Sequence, residues 1–157
     1  MKKEIYSSIC SQVYSTLKEG EGLTIYMEGE NSQYFRFNDS KIRQTGIIED
    51  YKVTLSLYHG KKSLQATTTV SSDIDYSVNN LISEINSLRE PLSLIPDNNF
   101  TVFPIKFDSL DMHRKGDLPK REEILDSLMD VINKDKLTGV WTSGKIFRAS
   151  STSEGTS

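Results

Sequence analysis

The residues best suited to chemistry in this sequence are two histidines and one cysteine, and their spacing matches no familiar site. His59 and His113 lie far apart in the chain, and neither an HExxH nor a CxxC motif occurs. Zinc sites usually take at least two ligands from such local motifs. Cys10 has no histidine near it in sequence to act as a base. We therefore predict no catalytic, cofactor-binding or metal site in this chain alone, and a buried structural role for Cys10.

A second group of residues has the chemistry of a binding surface. Basic and aromatic side chains occur along the strand-like region from residue 34 to residue 62: Tyr34, Arg36, Lys41, Arg43, Lys52, Lys61 and Lys62. On an exposed sheet face such residues can stack nucleobases and hold phosphates. The same alternation is also typical of the solvated face of a half-covered sheet, which is the more common case. A third alternative is an extended peptide that lies on the sheet or adds to its edge. We single out Tyr34, Arg36, Arg43 and Lys52 as possible peptide or partner contacts.

Composition and charge restrict the function classes. The chain has 157 residues, a formal net charge of -3 and one cysteine. A net negative charge disfavours a dedicated nucleic-acid binder, which needs clustered Lys and Arg. With a single cysteine no internal disulfide can form, which favours a reducing compartment. The N-terminus has no uninterrupted apolar segment, and no stretch approaches the roughly 20 apolar residues of a membrane span. We expect a soluble, cytoplasmic protein.

Three segments have helical periodicity. Ile5, Ile9, Val13 and Leu17 recur every four residues near the N-terminus. Asp73 is placed to cap a second helix that Pro91 and Pro96 end, with its apolar residues at Val78, Leu81, Ile82, Ile85 and Leu88. A third helix follows Pro119, with Ile124, Leu125, Leu128, Met129 and Ile132 on one side. Each helix is amphipathic, so each must pack one face on another element.

The remaining segments alternate with the period of a strand. The clearest is residues 51–58, where Tyr51, Val53, Leu55 and Leu57 face one way. Asn38, Asp39 and Ser40 predict a turn, and Gly46 suggests a bulge or a close backbone approach. We predict an α+β fold, an antiparallel β-meander packed against amphipathic helices, in the order α-β-β-β-β-β-α-(loop)-α-β-β. We expect a single domain over residues 1–150 and a flexible Ser/Thr-rich end over residues 151–157, and a truncation point in this end is a further hypothesis.

The order of these elements, together with particular residues, resembles the N-terminal domain of the TldD/PmbA (TldE) family, the so-called modulators of DNA gyrase. The resemblance is carried by "YFRFNDSKIRQTGIIEDYKVTLSLYHGKKSLQATTT", with Asn38–Ile42 before a strand, a glycine turn at Gly60 and the return strand Ala66–Thr69. The capped helix and its following proline also match. Thr152, Ser153, Glu154 and Gly155 stand where the family carries an NS-x-G turn, with Thr in place of Asn. The resemblance extends from about Glu4 to Gly155.

The resemblance implies a functional context that the residues alone do not supply. It implies a cytoplasmic parent protein related to zinc metalloproteases, assembled as a homo- or heterodimer around a chamber that admits extended peptides. In the family an HExxxH zinc motif and a distant cysteine follow this domain, and neither is present here, so no catalytic residue is carried over. The first hypothesis is thus a non-catalytic domain of the cutting subunit or of its metal-free partner. The alternative is a stand-alone module that binds nucleic acid or peptide through the basic-aromatic face. An enzyme active by itself is disfavoured.

Overall fold

The computed structural model describes residues 3–104, 109–132 and 136–153. Within them the chain forms three helices and four strands, in the order α-β-β-β-α-α-β. Their bounds are α1 Lys3–Tyr14, β1 Glu21–Asn38, β2 Lys41–His59, β3 Lys62–Thr69, α2 Ile74–Leu94, α3 Arg121–Ile132 and β4 Gly139–Thr152. The strands form an antiparallel sheet in the order β3-β2-β1-β4. The predicted α+β class is confirmed.

The predicted element order is wrong, because three strands are longer than the sequence indicates. Residues 23–38 and 41–58 were expected to form two strands each, and residues 137–150 a strand pair. Each region is instead one continuous strand. β1 lies between β2 and β4, and β2 lies between β3 and β1. β3 pairs with β2 over Lys52–His59, and β1 has a neighbouring strand on each side. Backbone pairing with neighbouring strands outweighs the poor strand propensity of residues such as Asn31 and Asp50.

Glycines inside these strands make room for neighbouring atoms. A Cβ added to Gly29 would overlap the ring of Tyr51, and one added to Gly144 would overlap the backbone of Ser32. Gly46, where a bulge or a close backbone approach was expected, has the Tyr34 ring over its open side, 2.6 Å from the position of an added Cβ. These glycines therefore reflect close packing within the sheet rather than turns.

The chain divides into two compact units, which we describe separately. The helix-packed unit comprises Met1–Gly29, Asp50–Ser109 and Phe147–Ser157, and the hairpin unit comprises Glu30–Glu49 and Leu110–Ile146. In the helix-packed unit, α2 packs on α1 and on β3. The core between helices and sheet includes fully buried side chains from α1, α2, β1 and β2: Ile9, Val13, Leu23, Ile25, Met27, Val53, Leu55, Leu57, Leu81 and Ile85. The alternation predicted for residues 51–58 is confirmed.

The caps of α2 show one confirmed and one incorrect prediction. Asp73 caps the helix as expected, its carboxylate accepting a hydrogen bond from the backbone N–H of Tyr76 at 3.0 Å. Pro91 does not end the helix, which continues to Leu94. Pro91 removes one helical N–H, but the extra turn buries Leu92. Ile95 is the C-cap residue of the helix, and Pro96 after it favours the extended backbone that is observed at Ile95.

β4 ends at Thr152, so the expected flexible end at residue 151 begins inside a strand. Ser153 is also engaged, because its hydroxyl accepts a hydrogen bond from the N–H of Leu23 at 3.1 Å. Residues 154–157 lie outside the described residues. The assignment of residues 1–150 to a single domain stays a prediction.

Candidate binding surface

Three of the four predicted contact residues lie on the hairpin formed by β1 and β2. Arg36 and Arg43 are exposed on neighbouring strands of this hairpin, and Tyr34 is half-buried. The Tyr34 ring packs over Gly46, so only part of its surface is free to stack on a ligand. Lys52, the fourth, is exposed in the helix-packed unit, at the β2 position paired with Thr69 of β3. The structure thus groups Tyr34, Arg36 and Arg43 in one unit and leaves Lys52 in the other.

The two lysines of the β2–β3 turn are held by neighbouring polar groups. The ammonium group of Lys61 donates to the side-chain oxygen of Asn99 at 2.9 Å. That of Lys62 donates to the carbonyl of Ser93, in the last turn of α2, at 2.8 Å. A cation at the carboxyl end of a helix stabilises that end. These contacts give both lysines a structural role and weaken their case as ligand-binding residues.

The tip of the hairpin is fixed by residues that lie far away in sequence. Asp39 and Ser40 both have left-handed backbone, with φ of 47° and 59°. The N–H of Ser40 donates to the carbonyl of Leu137 at 3.0 Å, and the Ser40 hydroxyl accepts from the N–H of Leu137 at 3.2 Å. The hydroxyl of Thr138 donates to the side chain of Asn38 at 2.9 Å. The turn was predictable from its own residues, but no local sequence pattern indicates that Leu137 and Thr138 form hydrogen bonds with it.

An aromatic contact supports the hairpin on the side of Phe35. The Phe35 ring is buried and lies 5.5 Å from the ring of Trp141, and the guanidinium carbon of Arg121 is 5.5 Å from the Phe35 ring centre. Such a cation–π contact contributes roughly 0.5–1 kcal/mol when it is partly exposed. Trp141 is therefore a packing residue, and the guanidinium group of Arg121, at the start of α3, contacts the Phe35 ring.

Large apolar side chains are exposed mainly in the hairpin unit. Among the described residues they are Ile42, Ile47, Leu110, Met112, Leu118, Met129, Val131, Val140 and Ile146. Of the residues predicted for the apolar side of α3, Leu125 and Leu128 are partly covered, Met129 is exposed and Ile124 is buried, and the side chain of Ile132 lies outside the described part of the structure. Concentrated exposed apolar surface is typical of regions that contact another protein. Of the exposed residues only Met129 was predicted to lie on an apolar face, that of α3, and no short-range pattern marks the others as an exposed apolar surface.

The cysteine lies in a buried polar cluster that joins α1 to β4. The hydroxyl of Tyr6 donates to the carbonyl of Ile25 at 2.9 Å and lies 2.9 Å from the Ser151 hydroxyl. The hydroxyl of Tyr14 lies 2.6 Å from that of Ser151, which donates to Sγ of Cys10 at 3.4 Å. Because a carbonyl only accepts, the proton of Tyr6 is committed to Ile25, and Ser151 receives its hydrogen bond from Tyr14.

Burial determines the ionisation of this cluster. It raises the pKa of the Cys10 thiol and the pKa of the hydroxyls of Tyr6 and Tyr14, because a charged form would lose its solvation. A reactive cysteine needs a lowered pKa and an exposed sulfur. Cys10 has neither, and the predicted structural role is confirmed by its burial.

The residues present do not fit the zinc site that the resemblance implies for the family. In the described ranges, no group of three or more His, Cys, Asp or Glu side chains gathers as metal ligands. His59 belongs to the helix-packed unit and His113 to the hairpin unit. We derive no chemical step through a metal from these residues.

None of the helices in the described part of the chain combines the length and the apolar composition that a bilayer crossing requires. This finding agrees with the absence of a long apolar segment in the sequence.

Comparison with known proteins gives matches in structure but not in sequence. No family model and no curated protein matches the sequence. The fold is similar to that of a proposed modulator of a DNA gyrase from Thermotoga maritima, with a TM-score of 0.57 over 94% of this chain and 38% of that one. It is similar to TldE from Thermococcus kodakarensis, with a TM-score of 0.56 over 94% and 37%. A proposed modulator of DNA gyrase from Bacteroides thetaiotaomicron matches with a TM-score of 0.51 over 96% and 38%.

Sequence identity to each of these three proteins is 10%, so the likeness concerns the fold. This chain spans less than two-fifths of the length of each one. The resemblance stated from the sequence is therefore confirmed for the fold: the chain has the fold of one part of TldE and of proteins described as DNA gyrase modulators.

Proposed function

We propose that this chain is a non-catalytic domain of a TldD/PmbA-type protein, contributing to assembly and to the wall of a chamber that admits extended peptides. The observation that carries this proposal is the coverage of the structural matches. Nearly the whole chain superimposes on one part of proteins more than twice as long. A segment of this kind supplies a structural unit, and the chemistry belongs to the rest of the protein or to a partner subunit.

The distribution of apolar surface supports an assembly role. The hairpin unit leaves Ile47, Val140 and Ile146 exposed, while the helix-packed unit buries most of its strand and helix apolar side chains between helices and sheet. We propose that the hairpin unit contacts the other subunit of a homo- or heterodimer, which would remove these side chains from water. In this proposal zinc is held by that subunit or by a further part of the same protein, peptide is the substrate, and the site of action is the cytoplasm.

The test is co-purification from the source cells of a tagged form of the protein that carries this sequence. We expect a partner subunit with an HExxxH motif and bound zinc, together with peptidase activity that depends on the complex. Ile146→Asp should reduce recovery of the partner at least about tenfold, because it places a charge in the contact. Leu94→Asp is the matched control, since Leu94 is equally exposed but lies in the helix-packed unit.

Two results would contradict this proposal. One is recovery of the protein alone, without a zinc-containing partner or a zinc-binding segment of its own. The other is equal loss of the partner with Ile146→Asp and with Leu94→Asp, which would show that the hairpin unit has no special part in assembly.

The second candidate function is binding of nucleic acid through the hairpin, and the exposure of Arg36 and Arg43 favours it. This function predicts binding of a labelled oligonucleotide that weakens steeply as salt is raised. Binding should fall in the Arg36→Ala/Arg43→Ala double variant and persist in Lys52→Ala. Absence of salt-sensitive binding in the unmodified protein would remove this candidate and leave the first.

A further inference from the structure

A groove on the helix-packed unit is partly covered by the chain that follows α2. Its volume is about 330 Å³, and it is lined by Gly20, Glu21, Gly22, Tyr58, Gly60 and Phe103. All of these residues belong to one unit. Phe103 is contributed by residues 98–103, a segment without helix or strand that we call the strap.

One end of the strap is tied to the β2–β3 turn. The N–H of Asn98 donates to the carbonyl of Lys61 at 2.9 Å, and the Lys61 ammonium group donates to Asn99 at 2.9 Å. A further backbone hydrogen bond, from the N–H of Thr101 to the carbonyl of Asn98 at 3.0 Å, gives the strap a tight turn. Lys61, Asn98 and Asn99 are exposed, so these bonds compete with water and hold the strap weakly.

The other end is held by one aromatic ring. The ring of Phe103 lies 5.1 Å from that of Tyr58, at an interplanar angle of 56°. It occupies the space that a side chain on residue 22 would need, since a Cβ added to Gly22 would lie 2.8 Å from two of its ring carbons. Phe100 and Val102 of the same strap are 92% and 76% exposed. Phe103 is thus the apolar anchor of the strap.

We propose that the strap is a releasable cover of the groove. The Phe103 ring, which packs against Gly22, holds the strap closed, and its release opens the groove beside Tyr58. Local opening needs little free energy where few apolar contacts are buried and the hydrogen bonds are exposed. The strap meets both conditions, whereas the core beneath α1 and α2 meets neither. The strap therefore opens while the rest of the unit stays folded.

The test is amide hydrogen exchange at Asn98, whose N–H group bonds to the carbonyl of Lys61 outside the strap only while the strap is closed. Removing the half-buried ring in Phe103→Ala should speed exchange of this amide about tenfold. Phe100→Ala is the matched control, because it removes an exposed ring three residues away, and exchange should change less than about twofold. Nitration of Tyr58, followed by mass spectrometry, should rise in Phe103→Ala and stay constant in Phe100→Ala.

Gly22→Ala provides an independent test, because its Cβ displaces the ring and should speed exchange of the Asn98 amide. If both substitutions act through the same contact, the double variant Gly22→Ala/Phe103→Ala should exchange no faster than Phe103→Ala alone. Additive effects would overturn the proposal, as would equal acceleration by Phe100→Ala. Exchange of the core amide of Leu81 should be unchanged in all variants, and faster exchange there would show global unfolding instead of strap release.

Discussion

The helix-packed unit and the hairpin unit use parts of the same strands in different ways. In the first, β1 and β2 present Ile25, Leu55 and their alternating neighbours to two helices and bury them completely. The hairpin unit contains the remaining part of both strands together with α3. Its buried apolar side chains, among the described residues, are Phe35 on β1 and Ile124 on α3. One part of a long strand can therefore contribute to a buried core while another part stays exposed, because burial depends on which elements cover each part. The helix-packed unit is built for stability, and the hairpin unit retains apolar surface.

The largest expected difference between the units is in the free energy of unfolding that is lost when an isoleucine on a strand is replaced by alanine. Ile25→Ala should lower the free energy of unfolding by about 2–5 kcal/mol, because it leaves a cavity in the core. Ile146 is also on a strand but is 72% exposed, so Ile146→Ala should cost less than about 0.5 kcal/mol. Urea denaturation measures both. Similar losses for the two variants would mean that the hairpin unit has a core of its own.

The next difference concerns ion pairs. Arg89 donates to both carboxylate oxygens of Glu21, at 2.9 and 2.8 Å, and to the carbonyl of Thr16 at 2.9 Å. This pair is largely buried, whereas Lys136 and Asp39 in the hairpin unit form a longer, exposed pair at 3.6 Å. Arg89→Met should cost about 1–3 kcal/mol, since it leaves the largely buried carboxylate of Glu21 without its ion-pair partner and with the N–H of Lys18 as its remaining donor. Lys136→Met should cost less than about 0.5 kcal/mol in the same denaturation assay.

The Glu21 pair also predicts a pH dependence. The hydrogen bonds from Arg89 hold the pKa of Glu21 below its usual value, despite the opposing effect of burial. A lowered pKa in the folded state means that the stabilisation is complete above the unfolded-state pKa, near 4.3, and disappears as pH falls through the folded-state pKa. The gap in stability between the unmodified protein and Arg89→Met should therefore narrow below about pH 4. A gap that stays constant in acid would show that packing of Arg89, and not its charge, is responsible.

The smallest difference concerns the polar cluster that ties β4 to α1. Ser151→Ala removes the hydrogen bonds to Tyr14 and Cys10 and should cost about 1–2 kcal/mol. Ser127→Ala on α3 is the control, because the hydroxyl of Ser127 bonds only to its own helix, at the carbonyl of Glu123, and is exposed. Thermal unfolding followed by circular dichroism compares the two. Equal losses of thermal stability in the two variants would show that the cluster does not distinguish the helix-packed unit from the hairpin unit.

The sequence predicted what depends on short-range periodicity and failed where distant residues decide. The alternation at residues 51–58, the Asp73 cap and the turn at Asn38–Ser40 each follow from a few neighbouring side chains, and each is observed. The unbroken strands depend on pairing with segments far along the chain, which overrides the local signal of Asn31 or Gly144.

The same limit applies to the candidate site. The exposure of Arg36 and Arg43 follows from alternation, but the Tyr34 ring over Gly46 does not. Ser151 meets Tyr6 and Tyr14 only in the folded protein, and no local motif in the sequence marks that cluster. Met129 was predicted to share an apolar face of α3 with Ile124, yet Met129 is exposed and Ile124 is buried, because periodicity shows which residues share a face but not what covers that face.

The measurement that tests the central claim most directly is the size of the native particle that contains this sequence in its own cells. Size-exclusion chromatography of a lysate, followed by immunoblotting with an antibody to the helix-packed unit, supplies it. The proposed role in a TldD/PmbA-type assembly predicts a particle several times larger than the 17.8 kDa of this chain, which co-elutes with zinc. A particle of about 17.8 kDa without a partner would contradict that role and identify a free-standing module.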